Sequence, residues 1–434
     1  MLTEAMLNDA KEAYKDALYA EADAKAKVAE EAPGAKEALT EATESAKREK
    51  AYLNHAVKSR SAPRIKGMLE LALPDLVIKA NLLDADPFIL NTPRGIVHLK
   101  AGELTPHDQR SATLLCTKIT ATGPGSEGAE MWIDFLKTIT CGDATLMDFL
   151  QEVAGMAAIG RVYHEGIIMA IGGGRNGKST FFNALAGVLG DYAGGIDVKT
   201  LTTDRQNKGS SLSTLRGKRL VIASELEEHQ RLSTSTLKQI ASTDKLVIEE
   251  KFRNPETVDQ SHTLVLCSNH MPRVGSTDNG TWRRLTVVPF NATIPAGSGV
   301  QNYADKLVNE AGPAILSWVI LGAVKFIKNG FKLDMPMAVE VATEEYRHRE
   351  NWLENFIEER CILEPGARTG ARDLYLEYKD WSTEAGEYVR RENDFAATME
   401  TAGYQRIKPK NKSTWQGLRL NFAAKYGNAY GATV

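Results

Sequence analysis

Short apolar runs alternate with helical patterns through the middle of the chain, between residues 160 and 295. The runs have the length and composition of buried strands. They cover residues 162–171, 220–223, 246–249, 263–268 and 285–288. Strands that alternate with helices are typical of a layered core, so the pattern predicts an α/β fold for this part of the chain.

A different pattern occupies the first 60 residues, which are rich in alanine, glutamate and lysine. Pro33 and Gly34 divide this segment into two helical runs, and we therefore expect a helical hairpin. Its apolar positions are mostly alanine, so the hairpin buries little surface by itself. We interpret residues 1–60 as a polar helical arm or collar without a catalytic role.

The segment between the arm and the core contains two apolar runs, 88–90 and 96–97, around a turn signal, which predicts a small hairpin. Residues 131–136 and 145–158 have helical patterns. No internal repeat is evident.

Beyond the core, residues 313–330 and 338–360 have helical patterns, and Pro313 suits the first turn of its helix. Pro365-Gly366 then interrupts the chain. Two helices and a terminal segment that contains Trp415 complete the predicted tail.

Length and composition narrow the class of protein. A chain of 434 residues is expected to form two or three domains, and a net charge of -3 means that any nucleic-acid site must be a local patch or channel. The four cysteines form no CxxC pair, which favours a reducing cytoplasm and disfavours a disulfide framework or a structural zinc site. No signal peptide is predicted, because the N-terminus lacks a basic stretch followed by an apolar run. No membrane span is predicted either, because the best candidate, residues 314–327, has the pattern of a buried helix.

The strongest chemical signal is the segment 172–179, which matches the phosphate-loop pattern GxxxxGK[ST] in full. An apolar strand precedes it and a helical pattern follows it, as a phosphate loop requires. Its glycines allow backbone N–H groups to surround phosphate oxygens, and the helix N-terminus favours the anion. The predicted nucleotide-binding residues are Gly172, Gly173, Gly174, Arg175, Asn176, Gly177, Lys178, Ser179 and Thr180. Lys178 is expected to bind the β- and γ-phosphates, and Ser179 is expected to bind magnesium. The loop alone does not determine the reaction, because kinases, GTPases and motor proteins share it.

Polar residues at the ends of two later strands extend the predicted site. The run 220–223 ends in an acidic group, in which Glu225 is our first choice for the catalytic carboxylate and Glu227 the second. Ser224 stands where ATPases commonly have an aspartate, so the sequence leaves open which carboxylate serves the metal and which the water. Asn269 follows the run 263–268, and an amide there can bond the γ-phosphate or the attacking water.

Arg283 and Arg284 follow Trp282 and suit an arginine finger that acts on the ATP of a neighbouring subunit. One of the two is expected to form an ordinary salt bridge. The sequence slightly favours Arg283 as the finger but does not separate the two.

The order of these motifs resembles that of superfamily 3 helicases, and more closely the helicase half of phage and plasmid primase–helicases, which are related to the poxvirus primase–helicase. Residues 86–108 resemble the pre-helicase domain of that family, 342–347 its post-helicase helix, and 374–381 its C-terminal winged-helix segment. The resemblance covers roughly residues 65–420. It implies an AAA+ type P-loop core with a helical N-terminal domain and a C-terminal winged-helix-like domain. The implied boundaries are 1–60 for the arm, 61–158 for the pre-helicase domain, 159–360 for the ATPase core and 361–434 for the C-terminal domain.

The resemblance also implies an activity: a homohexameric ring that hydrolyses ATP with Mg²⁺, moves along single-stranded DNA and unwinds forked DNA during phage or plasmid replication. A primase domain or protein and a polymerase are the further partners it suggests, and a bacterial host cytoplasm is the expected location. The family usually carries a primase domain ahead of this region. No primase motif is recognisable before residue 60, so the chain is either a helicase alone or a fragment of a longer protein.

In the family, a hairpin just before the sensor strand enters the channel of the ring and holds DNA. Residues 246–248 and 258–263 are predicted as its two arms, with Lys251, Phe252 and Arg253 near the tip as DNA contacts. Glu249 and Glu250 would repel phosphate there, so an ordinary solvated hairpin is the alternative. The acid-free tail 401–434 suits either a DNA-binding winged helix or a basic packing surface.

Two other classes of function share part of the pattern: an AAA+ loader or remodeller that moves no DNA, and a DNA-binding replication initiator in which nucleotide drives assembly without processive unwinding. The arginine pair and the basic hairpin favour the helicase.

Overall fold

The computed structural model describes residues 2–78, 82–123, 125–203, 212–224, 226, 230–248, 255–274, 279–295, 300–386, 388–407 and 412–421. The chain divides into two compact units, Met1–Leu82 and Leu83–Val434. The first unit therefore extends past residue 60, where the sequence predicted the end of the helical arm.

The first unit contains the predicted helical hairpin and one further helix. Its helices are α1 (Leu2–Ala29), α2 (Ala35–Ser59) and α3 (Ala62–Leu76). Gly34 adopts a φ of 76° between α1 and α2, a conformation that favours glycine. Leu7, Ala10 and Ala56 form a small core where the first two helices pack. The alanine-rich pattern thus produces a close helix pair with little buried surface.

The second unit opens with a three-stranded antiparallel sheet and two helices. These elements are β1 (Ile89–Thr92), β2 (Gly95–His98), β3 (Glu103–Thr105), α4 (Ala129–Ile139) and α5 (Ala144–Met156). The hairpin of β1 and β2 confirms the predicted one. Asp143 caps α5, since its carboxylate accepts from the backbone N–H groups of Thr145 and Leu146.

A five-stranded sheet forms the centre of this unit, which confirms the predicted α/β class. Its region contains β4 (Ile167–Ile171), α6 (Lys178–Leu189), β5 (Ala193–Ile196), β6 (Leu220–Ser224), α7 (Thr234–Ile240), β7 (Leu246–Ile248), β8 (Glu256–Val258), β9 (Thr263–Ser268), α8 (Asn279–Trp282) and β10 (Leu285–Pro289). The strand order is β10-β4-β9-β6-β5, and every pair in it is parallel. Strands β7 and β8 form a separate antiparallel pair.

Alternate side chains of the central strands enter two hydrophobic cores. Ile168 and Ala170 pack with Phe181 of α6 on one face of the sheet. Ile167 and Met169 join Leu237 of α7 on the other face. Because a strand presents successive residues to opposite faces, a continuously apolar β4 is buried on both sides.

Two long helices follow the sheet: α9 (Tyr303–Lys328) and α10 (Met337–Glu350). The prediction that Pro313 begins its helix is wrong, because α9 begins ten residues earlier and contains Pro313 in its interior. Among the described residues, α9 is the one helix long and apolar enough to cross a membrane, yet 72% of its most apolar window is buried inside the protein. Burial of that kind matches the predicted core helix.

The C-terminal elements build a small core of their own. They are α11 (Trp352–Arg360), β11 (Cys361–Gly370), α12 (Ala371–Glu384), α13 (Glu392–Thr401), β12 (Arg406–Ile407) and β13 (Thr414–Leu420). The strands form an antiparallel sheet in the order β11-β13-β12. Phe356, Tyr378, Phe395 and Trp415 are buried between this sheet and its helices.

Several element boundaries differ from the prediction. The first core strand begins at Ile167 rather than at residue 162. The second arm of the β7–β8 hairpin is Glu256–Val258, because Thr263 already belongs to β9. The Pro365-Gly366 interruption lies inside β11, where the pairing with β13 shifts register between Leu363 and Arg368.

Candidate functional site

The predicted phosphate loop connects the end of β4 to the start of α6. Gly174, Arg175 and Gly177 have positive φ angles of 93°, 49° and 82°. Helix α6 begins at Lys178, directly after the loop. Ser179 is exposed and Thr180 is half-buried on the first turn. The loop and helix N-terminus therefore have the backbone that phosphate binding requires.

Two loop positions exclude any side chain larger than glycine. A Cβ on Gly172 would lie 2.4 Å from the carbonyl oxygen of Phe290, and one on Gly177 would lie 2.3 Å from Cγ2 of Ile139. Asn176, predicted to bind nucleotide, is 2% exposed, and its Nδ2 donates to the Phe290 oxygen at 3.2 Å. Its side chain therefore braces the loop against the end of β10.

Lys178 and Asn269 meet at the carboxyl end of the sheet. The Nζ of Lys178 donates to Oδ1 of Asn269 at 2.6 Å and to the carbonyl oxygen of Gly172 at 3.0 Å. Strand β9, which ends just before Asn269, pairs directly with β4. The predicted loop lysine and the predicted strand-end amide thus lie in one site, although they are 91 residues apart in the chain.

Burial sets the charge of this site. Lys178 is 5% exposed, and burial lowers the pKa of its ammonium group. Cys267 lies beneath it, and burial raises the pKa of that thiol to about 12. The thiol therefore stays neutral, so Cys267 adds no negative charge next to Lys178.

The acidic part of the predicted site is only partly visible. Strand β6 ends at Ser224, which pairs in register with Cys267 of β9. Glu225 and Glu227 lie outside the described residues. Among the described residues no group of three or more His, Cys, Asp or Glu side chains is placed to hold a metal ion. Mg²⁺ needs few protein ligands beside nucleotide phosphates, and the exposed Ser179 hydroxyl fits that mode of binding.

The two predicted finger arginines have different surroundings. Arg284 has a side chain 11% exposed, and its guanidinium donates to Glu165 Oε2 at 2.8 Å and to the carbonyl oxygens of Gly280 and Ala241 at 2.7 and 3.2 Å. Arg283 has a side chain 65% exposed and approaches Glu165 Oε2 only to 3.6 Å. Arg284 is therefore bound within its own subunit, whereas Arg283 is presented to solvent.

The arginine pair lies at the opposite end of the sheet from the phosphate loop. Arg284 precedes β10, and Leu285 at the start of β10 pairs with Ile167 at the start of β4. The loop follows Ile171, at the far end of the same five-residue strand. Four residue steps of a strand span roughly 13 Å. The arginines therefore lie at one end of these strands, and the phosphate loop of the same chain lies at the other end.

Glu165 is the residue of this region that sequence reasoning missed. Its carboxylate accepts from Arg284 at 2.8 Å and from the backbone N–H and hydroxyl of Thr243 at 3.2 and 2.9 Å, and Arg283 approaches it to 3.6 Å. The hydrogen bonds from Thr243 and the charges of Arg284 and Arg283 lower the pKa of Glu165. Glu165 belongs to no motif, and its partner Arg284 is 119 residues away, so the sequence alone contains no signal for it.

The predicted DNA contacts Lys251, Phe252 and Arg253 lie outside the described residues. The described part of their hairpin pairs Leu246 with Val258 and Ile248 with Glu256. In the tail, Arg419 forms an ion pair with Glu364 at 2.5 Å across β11 and β13.

In the part of the chain that the structure describes, two cavities include phosphate-loop residues in their walls. The larger, of 650 Å³, lies between β10 and α10 and touches the loop only at Gly172. The second, of 420 Å³, is lined by Arg175, Gly177 and Thr180, together with residues of α4 and of the segment before α9. The second cavity opens at the start of α6, where the sequence predicts phosphate binding.

Family comparisons match two parts of the chain. A family model described as "D5 N terminal like" matches residues 3–141, and a model of a family of unknown function (DUF5906) matches residues 170–284. The second match covers the phosphate loop, Asn269 and the arginine pair.

Similar proteins come from large DNA viruses. "Putative helicase L207/L206" of Acanthamoeba polyphaga mimivirus is 24% identical over 69% of this chain and 33% of its own length. "Putative primase C962R" of African swine fever virus is 29% identical over 50% of this chain and 24% of its own. "Putative helicase 022R" of Frog virus 3 is 23% identical over 57% and 27%. This chain thus spans a third or less of the length of these relatives.

Among solved structures, the C-terminal region of NrS-1 in its apo form is similar at a TM-score of 0.47 and 12% sequence identity, over 81% of this chain and 89% of that one.

Proposed function

The chain belongs to a primase–helicase family related to the poxvirus and African swine fever virus primase–helicases, and from that premise we propose that it is an ATP-dependent DNA helicase. It would unwind duplex DNA by moving along single-stranded DNA during the replication of a phage or plasmid. The observation that carries the proposal is the contact between Lys178 and Asn269 at the carboxyl end of a parallel sheet. A lysine and an amide placed together at a phosphate loop suit the γ-phosphate of ATP.

The roles of the site residues follow from their positions. The Lys178 ammonium group would bind the β- and γ-phosphates, while backbone N–H groups of residues 173–179 surround the phosphate oxygens. Asn269 would then exchange its bond to Lys178 for one to the γ-phosphate or the attacking water. Ser179 and an acidic residue at the end of β6, with Glu225 preferred to Glu227, would hold Mg²⁺, which neutralises charge on the transferring phosphoryl group.

A ring of subunits completes the proposed site. Arg283 is exposed, and it lies at the sheet edge opposite the phosphate loop of its own chain. Its guanidinium can therefore serve a nucleotide bound to a neighbouring subunit, as an arginine finger does. This geometry supports an AAA+ arrangement with ATP between subunits, in a homohexameric ring.

Two segments are proposed as DNA contacts. The β7–β8 hairpin would place Lys251, Phe252 and Arg253 toward DNA in the ring channel, where six copies multiply a small local charge. The C-terminal elements follow the order helix, strand, helix, helix, strand, strand with an antiparallel sheet, which supports a winged-helix-like domain. A primase domain or protein and a polymerase are the partners proposed from the family.

The test combines ATP hydrolysis with strand separation on a forked DNA. Unmodified protein should hydrolyse ATP faster with single-stranded DNA and should separate the fork. Lys178→Ala should abolish both activities, because it removes the ammonium group that binds the β- and γ-phosphates. Lys66→Ala, which removes an exposed lysine of α3, should change neither.

Normal hydrolysis by Lys178→Ala would refute the ATP site. DNA-stimulated hydrolysis without strand separation would instead favour a DNA-binding replication initiator or loader.

A further inference from the structure

The 420 Å³ cavity beside the phosphate loop has walls from three parts of the second unit. Helix α4 supplies one wall, the loop and first turn of α6 supply the second, and residues 294, 295 and 300 with Tyr303 supply the third. The described residues that line it are Asp134, Phe135, Thr138, Arg175, Gly177, Thr180, Ile294, Pro295, Val300 and Tyr303. Its size suits a small organic group rather than a single ion or water molecule.

The cavity is fixed to the loop on two sides. The Ile294 N–H donates to the carbonyl oxygen of Arg175 at 2.8 Å, which holds the third wall against the loop. On the other side α4 packs on Gly177, where an added Cβ would lie 3.5 Å from the Phe135 ring. A group that leaves the phosphates past Thr180 therefore enters this space directly.

The walls are apolar and aromatic. Tyr303 is half-buried at the start of α9, and its ring meets the ring of Phe135 edge-on, with centroids 5.7 Å apart. Ile294 and Val300 add aliphatic surface. Polar groups, including the carboxylate of Asp134 and the hydroxyl of Thr138, lie toward solvent. A flat heteroaromatic ring fits such walls, because its faces contact apolar atoms while its edge reaches polar groups.

We propose that this cavity binds the purine base of the nucleoside triphosphate and that Tyr303 is a base-contacting residue. The inference rests on the proposed function, since it requires that the loop binds a nucleotide. It adds a second anchor to that site: the loop binds the phosphates, and the cavity between α4 and α9 binds the base.

The test separates the base from the phosphates by calorimetric titration of the full chain with MgATP and with inorganic magnesium tripolyphosphate. Tyr303→Ala should weaken MgATP binding about 10-fold, because it removes the aromatic contact to the base. Binding of tripolyphosphate should stay unchanged. Tyr303→Phe should behave as the unmodified protein, and so should Tyr19→Ala, which removes an exposed ring of α1.

A second variant fills the cavity instead of removing a contact. Thr138→Trp places a large ring at the exposed mouth on α4 and should also weaken MgATP binding without affecting tripolyphosphate. Unchanged MgATP affinity in both Tyr303→Ala and Thr138→Trp would overturn the base site, and so would an equal loss of both ligands. Neither result contradicts the ATP site of the unmodified protein. Failure of the unmodified protein to bind MgATP and tripolyphosphate would instead overturn the proposed function together with the base site.

Discussion

Arg283 and Arg284 are neighbours in the chain, yet their guanidinium groups occupy different environments. Arg284 is held by Glu165 and by two carbonyl oxygens, and its side chain is 11% exposed. Arg283 is exposed and makes only a 3.6 Å approach to Glu165. The structure thus separates a residue that stabilises its own subunit from a residue that can act on another one.

This difference predicts opposite effects of two alanine variants. Arg283→Ala should lower ATP hydrolysis about 1,000-fold with unchanged stability, because it removes a trans-acting cation. Arg284→Ala should lower the free energy of unfolding by about 1–3 kcal/mol, because it removes the guanidinium donor from Oε2 of Glu165 and from the carbonyl oxygens of Gly280 and Ala241. Hydrolysis rates and urea unfolding measure the two effects.

Arg283→Lys is the matched control for charge, and it should recover only a small part of the activity, since lysine lacks the planar fork. Full hydrolysis by Arg283→Ala would rule out this residue as the finger.

His262 is a second residue whose environment determines its behaviour. It lies just before β9 and is 5% exposed. Burial lowers the pKa of its imidazole to about 4, although a hydrogen bond with the backbone of Ile240 acts in the opposite direction. The folded protein therefore keeps His262 neutral at pH values where an unfolded chain binds a proton.

We expect this histidine to weaken the protein as the pH falls from 6.5 to 4. In that window the unfolded state binds the extra proton, so stability decreases with falling pH and is unaffected by His262 above about pH 7. The full loss amounts to about 3 kcal/mol. His262→Leu should reduce the slope of unfolding free energy against pH in this range. An unchanged slope would show that other groups account for the acid sensitivity.

At the residue scale, the sequence predicted those site residues that can be recognised from their immediate neighbours in the chain. The loop 172–179 and Asn269 could be identified because each follows a recognisable strand. Glu165 and Tyr303 could not, because their partners are remote in the chain and neither belongs to a motif. The two arginines could not be separated, since burial depends on the packing of Ala241 and Glu165 around them.

At the scale of elements, the crossing of α5 and α9 depends on two glycines. A Cβ on Gly322 would lie 2.0 Å from the carbonyl oxygen of Gln151, and one on Gly155 would lie 2.0 Å from the nitrogen of Ala323. The backbones of the two helices therefore touch, and α9 packs into the core as closely as the chain allows.

Gly322→Ala should destabilise the protein by about 3 kcal/mol, because the methyl group forces the two helices apart. Gly67→Ala is the matched control, since it adds the same methyl in the middle of α3, where no atom lies within 4 Å. That change should be neutral or stabilise α3 by up to about 1 kcal/mol. Urea unfolding of both variants gives the comparison, and equal stabilities would contradict the close crossing.

The positions of strands were predicted correctly where the apolar run was long. Elements were missed or misplaced where contacts with distant parts of the chain determine them. Strands β6, β9 and β10 were predicted within a residue. Strand β5 was missed because its sequence, Ala-Gly-Gly-Ile, has little strand propensity and forms a strand only beside β6. Pro313 misled the prediction of α9, since proline favours the first turn of a helix but the ten residues before Pro313 also belong to α9.

At the scale of the whole molecule, the proposed function requires several copies of the chain. Mixing unmodified protein with an equal amount of Arg283→Ala disables half of the sites, and it should reduce hydrolysis below half because a ring whose sites act in sequence also stalls at each disabled site. A mixture with Lys66→Ala should retain full hydrolysis. Activity that equals the simple average of the two proteins would contradict coupled sites in a shared ring.

The opposite placement of Arg283 and the phosphate loop on one sheet has a consequence for how copies can be counted. Each copy presents Arg283 at one end of its sheet and the phosphate loop at the other, so copies associate head to tail. Head-to-tail contacts form either a closed ring or an open filament. An open row of n copies then has n − 1 complete sites, since its last loop has no donor, and a single copy has none. Closure adds the missing site, so the hydrolysis rate per chain should rise with protein concentration and level off when the row becomes a circle.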